Sequence, residues 1–213
     1  MPNTVKPYDA LQRLIEGNQK YADDLARSDH AHAIHRRHAI AEQRPFGIVL
    51  GCSDSRVPVE IIFDQTLGNL FVIRVAGYVL SDHVIGSLEY AVQTFGSSLI
   101  MVLGHSHCGA VTATVEAVLE DKPVSSRVST IVESIRPAVE SVRTETNVLE
   151  AAIKAHIRSV TAKLQNDEVL KASIDAGKLA IVGAEYHLGT GLVQIVTSGA
   201  PTPPQRSTVP AAE

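Results

Sequence analysis

Two apolar runs, each leading straight into a short string that holds a cysteine, constrain this chain more than any other feature. Phe46-Gly47-Ile48-Val49-Leu50 precedes Gly51-Cys52-Ser53-Asp54-Ser55-Arg56, and Leu99-Ile100-Met101-Val102-Leu103 precedes Gly104-His105-Ser106-His107-Cys108-Gly109. Short apolar runs bounded in this way read as buried strands. The chain has 2 cysteines, and both stand in these strings. Two thiols, an imidazole and a carboxylate at the ends of two neighbouring strands make a donor set suited to zinc.

Strand-like and helix-like segments alternate from Phe46 onward. Residues 69–75 read as a second strand, 81–95 as a helix with Ser81 or Asp82 at its N-cap, and 98–103 as a third strand. A helix is expected near 109–119, then mostly helix over 123–175 with interruptions at Pro137 and Asn147. Two late strands, 179–183 and 192–196, flank the turn-like Leu188-Gly189-Thr190-Gly191. This order predicts an α/β fold, a single domain with a mainly parallel central sheet flanked by helices. Ahead of it, Tyr8, Leu11, Leu14, Ile15, Asn18, Tyr21 and Leu25 recur at helical spacing and predict an amphipathic helix over 8–27. Its apolar face is expected to pack on a neighbouring subunit. The chain thus divides into an N-terminal helical arm (1–40), a zinc-binding α/β catalytic domain (41–197) and a flexible tail rich in Pro and Thr (198–213). His30, His32, His35 and His38 crowd into a polar connector. No thiol or carboxylate cluster completes a metal site there, so they read as a solvated surface.

Composition narrows the function classes. A chain of 213 residues, 45% apolar and with a net charge of -4, has its basic residues scattered and carries no nucleic-acid footprint. No stretch approaches the roughly 18 apolar residues of a membrane span. The first residues lack the apolar core of a secretory signal. Reduced thiols and a cytoplasmic location are expected.

In an open parallel sheet, ligands gather outside the carboxyl ends of the strands, where both motifs fall. His105 and Cys108 lie three apart at a helix start and share a face, and the helix N-terminus favours a thiolate at Cys108. Asp54 follows Cys52 by two residues, and Arg56 two further on can hold its carboxylate in a charge-assisted pair. A cysteine nucleophile with a histidine base is the competing arrangement, but it leaves the second cysteine without a role.

The paired patterns Cys-x-Asp-x-Arg and His-x-x-Cys, at Cys52, Asp54, Arg56, His105 and Cys108, closely resemble those of the β-class carbonic anhydrases. Further likeness falls at Val57-Pro58, Asp64, Leu70-Phe71-Val72-Ile73-Arg74, Leu88-Glu89-Tyr90-Ala91-Val92 and Gly109-Ala110-Val111, and it spans about 11–196. The resemblance implies Zn2+ held by Cys52, His105 and Cys108. It implies reversible hydration of carbon dioxide to bicarbonate and a proton through zinc-bound hydroxide. It also implies a homodimer or homotetramer with active sites near the dimer interface. In such a site Asp54, held by Arg56, orients the hydroxide, or takes the fourth zinc position when the pair opens. By the same match Gln43 is a donor toward substrate oxygen, and Phe71, Ala76, Tyr90 and Gly109 line the substrate pocket. The chain departs from the family pattern at Val75 and Tyr78, where asparagine is common, and at His187, where aspartate is frequent. It has no Trp, and Val49 stands where some bacterial members carry one in a regulatory bicarbonate site. Two other readings use the same zinc. One is a hydrolase of carbon disulfide or carbonyl sulfide, against which the complete first motif argues. The other is a closed structural site in a non-enzymatic protein, against which the openable Asp54–Arg56 pair argues.

Overall fold

The computed structural model describes residues 5–23, 43–197 and 201. Five strands, β1 (Gly47–Gly51), β2 (Leu70–Arg74), β3 (Leu99–His105), β4 (Ala180–Tyr186) and β5 (Val193–Ile195), form one sheet. Their order is β2-β1-β3-β4-β5, with every pairing parallel except β4 with β5. β1 and β3 are buried along their whole length, as continuous apolar runs in a covered parallel sheet should be.

Side chains alternate between two covered faces. Val49, Met101, Leu103, Val182 and Ala184 lie under α1 (Pro7–Ala22) and the short α2 (Val59–Ile62). Ile48, Leu50, Ile100, Val102 and Ile181 lie under a larger helical layer. That layer consists of α3 (Asp82–Phe95), α4 (Gly109–Leu119), α5 (Val128–Ser141), α6 (Val148–Gln165) and α7 (Glu168–Asp175).

The apolar face of the N-terminal helix, expected to meet a neighbouring subunit, has its buried residues Ala10, Leu11 and Leu14 packed on Phe46, Val59, Ile62 and Phe63 of the same chain. The physical reason is the sheet face beneath: without α1, Met101 and Val182 would lose their cover. Gly17 lets the helix come close, since a Cβ there would stand 1.9 Å from the Phe63 carbonyl oxygen. Asn18 then donates to the Ile62 and Gly191 carbonyls, at 3.2 and 2.8 Å, and accepts from the Val193 N–H at 2.7 Å. The histidine-rich connector and nearly all of the 198–213 tail lie outside the described residues.

The expected break at Pro137 is absent. Pro137 sits inside α5, where burial of Val132, Ile135, Ala138 and Val139 carries the helix across the missing backbone hydrogen bond. Asn147 caps α6 by accepting from the Glu150 N–H, and Ser81 caps α3 by accepting from Val84. β3 and β4 run further than their apolar stretches, to His105 and Tyr186, because the polar residues at their ends are also buried.

Candidate metal centre

Adjacent parallel strands deliver the two motifs to one place. β1 and β3 pair with Gly51 opposite Leu103, so Cys52, just past β1, meets His105, the last residue of β3. Cys108 completes the group from the N-cap of α4. One ligand atom from each of Cys52, His105 and Cys108 lies within 4.8 Å of the others, and all three residues are buried. Neither cysteine is in a disulfide.

The protons around the centre are ordered. His105 Nδ1 lies 3.0 Å from the Ser106 carbonyl oxygen. A carbonyl only accepts, so Nδ1 carries the hydrogen and Nε2 presents a bare lone pair. That Nε2 has no hydrogen-bond partner among the described residues. The hydrogen bond from Cys108 lowers the Cys52 thiol, assisted by the Gly77 N–H at 3.4 Å from its sulfur. The same bond, together with burial, pushes the Cys108 thiol up, outweighing the Ala110 and Val111 N–H groups at the start of α4. In the metal-free pair, burial and this bond thus disfavour the expected Cys108 thiolate and favour the negative charge on Cys52. A buried imidazole lone pair beside two buried thiols is a donor set that could hold a metal ion.

Asp54 stands at the rim. Arg56 grips it with Nε to Oδ1 at 2.9 Å and Nη2 to Oδ2 at 2.8 Å, and the Arg56 backbone N–H also donates to Oδ1 at 2.9 Å. This grip holds the carboxyl well below the usual carboxylate range. Its Oδ2 lies 4.0 Å from His105 Nε2, so the carboxylate faces the three donors while remaining bound to Arg56.

Ala76 and Gly109 also lie at this end of the sheet. Ala76 opens the 3-10 turn Ala76–Tyr78 that supplies the Gly77 N–H, and Gly109 directly follows Cys108 as the first residue of α4. Gln43, Phe71 and Tyr90 are placed elsewhere in the chain. Gln43 precedes β1 at the amino end of the sheet and is exposed. Phe71 pairs with Ile48, four residues short of Cys52, about 13 Å along the strand. Tyr90, 53% exposed, stacks near Phe71 with ring centroids 6.3 Å apart. Arg74 is a member of the centre whose role the motif spacing did not reveal. It closes β2, donates through Nε to the Cys52 carbonyl at 2.9 Å and through Nη2 to the Asp54 carbonyl, and so fixes the loop that carries both residues. A cation ending an apolar strand is the one signal that marks it.

Comparison with known proteins agrees with this geometry. The family model described as carbonic anhydrase matches residues 47–193. The carbonic anhydrase of Mycolicibacterium smegmatis is 39% identical over 201 residues, covering 92% of this chain and 95% of the relative. Carbonic anhydrase 2 of Mycobacterium tuberculosis is 38% identical over 193 residues, covering 90% and 93%. Among solved structures, the β-carbonic anhydrase CcaA superposes with a TM-score of 0.68 at 27% identity, over 87% of this chain and 94% of that one. Two tetrameric β-carbonic anhydrases from Sordaria macrospora share the fold, with a TM-score of 0.69 at 20% identity over 88% and 96%.

Proposed function

This chain belongs to the β-class carbonic anhydrases, and from that membership we propose that it interconverts carbon dioxide and bicarbonate at a zinc ion held by Cys52, His105 and Cys108. The observation that carries the reading is the convergence of three buried donors, one of them the bare His105 Nε2, beside a carboxylate that Arg56 restrains. When bound, zinc would acidify a water for attack on carbon dioxide, and two thiolate ligands would leave that water less acidic, with a pKa above the value near 7 of a three-imidazole site.

The chain's own residues supply the rest. Asp54 Oδ2 keeps a lone pair beyond the one taken by Arg56, and that lone pair accepts a hydrogen bond from the reacting water and orients it. Arg56 prevents the carboxylate from swinging into the position the water needs. Ala76 gives the substrate an apolar wall, and the Gly109 N–H at the start of α4 faces developing negative charge.

Gln43, Phe71 and Tyr90 enter the site from a second copy of the chain. The edge strand β2, the exposed Tyr90 and the Phe71–Tyr90–Phe95 ring cluster offer the surface for that pairing. The Sordaria macrospora enzymes are tetrameric, in keeping with a dimer-based assembly here. Among the described residues no helix is long and apolar enough to cross a membrane. The need for two reduced thiols suits the cytoplasm.

Metal analysis and stopped-flow carbon dioxide hydration, with and without a chelator, test the reading. One zinc per chain, hydration lost with the metal, and metal lost in Cys52→Ala and Cys108→Ala are the expected results. Zinc retained without hydration would overturn the reading in favour of a closed structural site.

A further inference from the structure

Beside the metal centre, Tyr78 OH, Glu185 Oε2 and His187 Nε2 are buried and have no hydrogen-bond partner among the described residues. They form a row. Gly104, next to His105, has no side chain, and a Cβ there would meet the Tyr78 hydroxyl at 2.9 Å. Gly104 pairs in register with Glu185. Side chains in register on parallel strands point to the same face, with the strands about 4.8 Å apart. The Tyr78 hydroxyl therefore occupies the side of the sheet on which the Glu185 carboxylate stands. Two residues on, the chain alternation returns His187 to that side, and its Nε2 lies 3.8 Å from Glu185 Oε2. The row ends at a cavity of about 270 Å³ lined by His107, Glu150, Glu185 and His187. The Glu185 side chain is 1% exposed and the His187 side chain 30%, so the row leads from the interior toward solvent. Polar atoms buried without protein partners are ordinarily linked by water.

We propose that Tyr78, Glu185 and His187, with intervening water, form the route by which the proton released in carbon dioxide hydration leaves the buried centre, His187 Nε2 being its last protein station. The inference rests on the carbon dioxide reading of the site. In the step, an O–H bond of the reacting water breaks. Tyr78 passes on its own proton as it receives another, the Glu185 carboxylate takes a proton and releases it, and His187 Nε2 binds it and surrenders it to a buffer base. No electrons are exchanged. Burial keeps the Tyr78 phenol neutral and pushes the Glu185 carboxyl up. The charged and titratable groups facing His187 are Glu185 on β4, His107 in the loop after β3, and Glu150 on α6, which is bridged to Lys154 at 2.6 Å.

Oxygen-18 exchange between carbon dioxide and water at chemical equilibrium separates two rates: interconversion, and release of labelled water, which requires the proton. With the zinc-loaded enzyme in weak buffer, His187→Ala should lower label release about tenfold or more relative to interconversion. Added imidazole should restore it, and the pH dependence of release should change shape. Tyr78→Phe, which removes one oxygen, and Glu185→Gln should lower the same rate with zinc content and melting temperature retained. In the metal-free protein, the His187 imidazole NMR signal should shift in Glu185→Gln. Normal interconversion with label release unchanged in His187→Ala would overturn the route alone. A parent enzyme without interconversion would overturn the carbon dioxide reading and the route with it.

Discussion

His156, on α6, is 3% exposed and lies behind the metal centre. Its Nε2 donates to the Gly77 carbonyl at 2.9 Å, and its ring sits 4.8 Å from that of Tyr78. Because the Gly77 N–H points at Cys52, this one imidazole steadies the turn that touches the metal ligand. Burial pushes the His156 pKa down to about 4 from 6.5. The sign follows directly. Below about pH 6.5 the unfolded chain takes up a proton that the folded chain refuses, so stability present above that pH is lost as pH falls toward 4. At roughly 1.4 kcal/mol per unit, the parent should lose about 2 kcal/mol between pH 6.5 and 5 from this residue. Denaturant titrations at both pH values should show that loss in the parent and little of it in His156→Gln; equal losses would remove His156 as the cause. Arg56 behaves differently. Its side chain is 54% exposed, so the ion pair with Asp54 contributes little to stability. Arg56→Ala should leave the melting temperature and zinc content near those of the parent while hydration falls about a hundredfold or more, because Asp54 is released toward the metal. A fully active Arg56→Ala enzyme would show that the pair is only a surface contact.

At the scale of the elements, α1 is the sharpest case. Gly17→Ala improves intrinsic helix propensity by about 1 kcal/mol. The added methyl would nevertheless stand 1.9 Å from the Phe63 carbonyl oxygen, so the helix must move and strain the three Asn18 hydrogen bonds. Overpacking of this kind costs more than the propensity gain, and a net loss of about 2 kcal/mol is expected in urea unfolding. A variant as stable as the parent would mean that α1 is loosely docked. The same helix shows where sequence reading stops. Its period was legible in Leu11, Leu14 and Asn18, but the surface it covers was not, since an apolar stripe records burial without naming the partner. The strands were legible because β1 and β3 are apolar throughout, and their ends were misjudged where buried His105 and Glu185 interrupt that pattern. Cys52, Asp54, Arg56, His105 and Cys108 could be grouped because each motif is local. Arg74, His156 and Glu185 reach the centre through pairings between strands and helices distant in sequence, which no local spacing encodes.

For the whole molecule, the open question is how one chain completes its substrate pocket. Cys52, Asp54, Arg56, His105 and Cys108 gather at the carboxyl ends of β1 and β3, whereas Phe71, with Tyr90 beside it, sits on the edge strand β2, about 13 Å back along the strands. A two-fold pairing would place one copy's aromatic cluster against the other copy's metal centre, and each dimer would then hold two mixed sites. Two individually inactive variants distinguish this arrangement from a site built within one chain. Cys108→Ala removes a metal ligand, and the double change Gln43→Ala with Tyr90→Ala removes the pocket side chains. If these groups meet across an interface, a mixed dimer contains one site with both defects and one with neither. Random association makes about half the dimers mixed, so co-expressed variants should recover roughly a quarter of the parent's carbon dioxide hydration. Each variant alone should remain inactive, and light scattering on the mixture should report the parent's mass. If the mixture stays as inactive as its components while its mass shows that dimers have formed, Gln43 and Tyr90 act within their own chain or not at all. The exposed ring cluster would then have to be explained by packing alone.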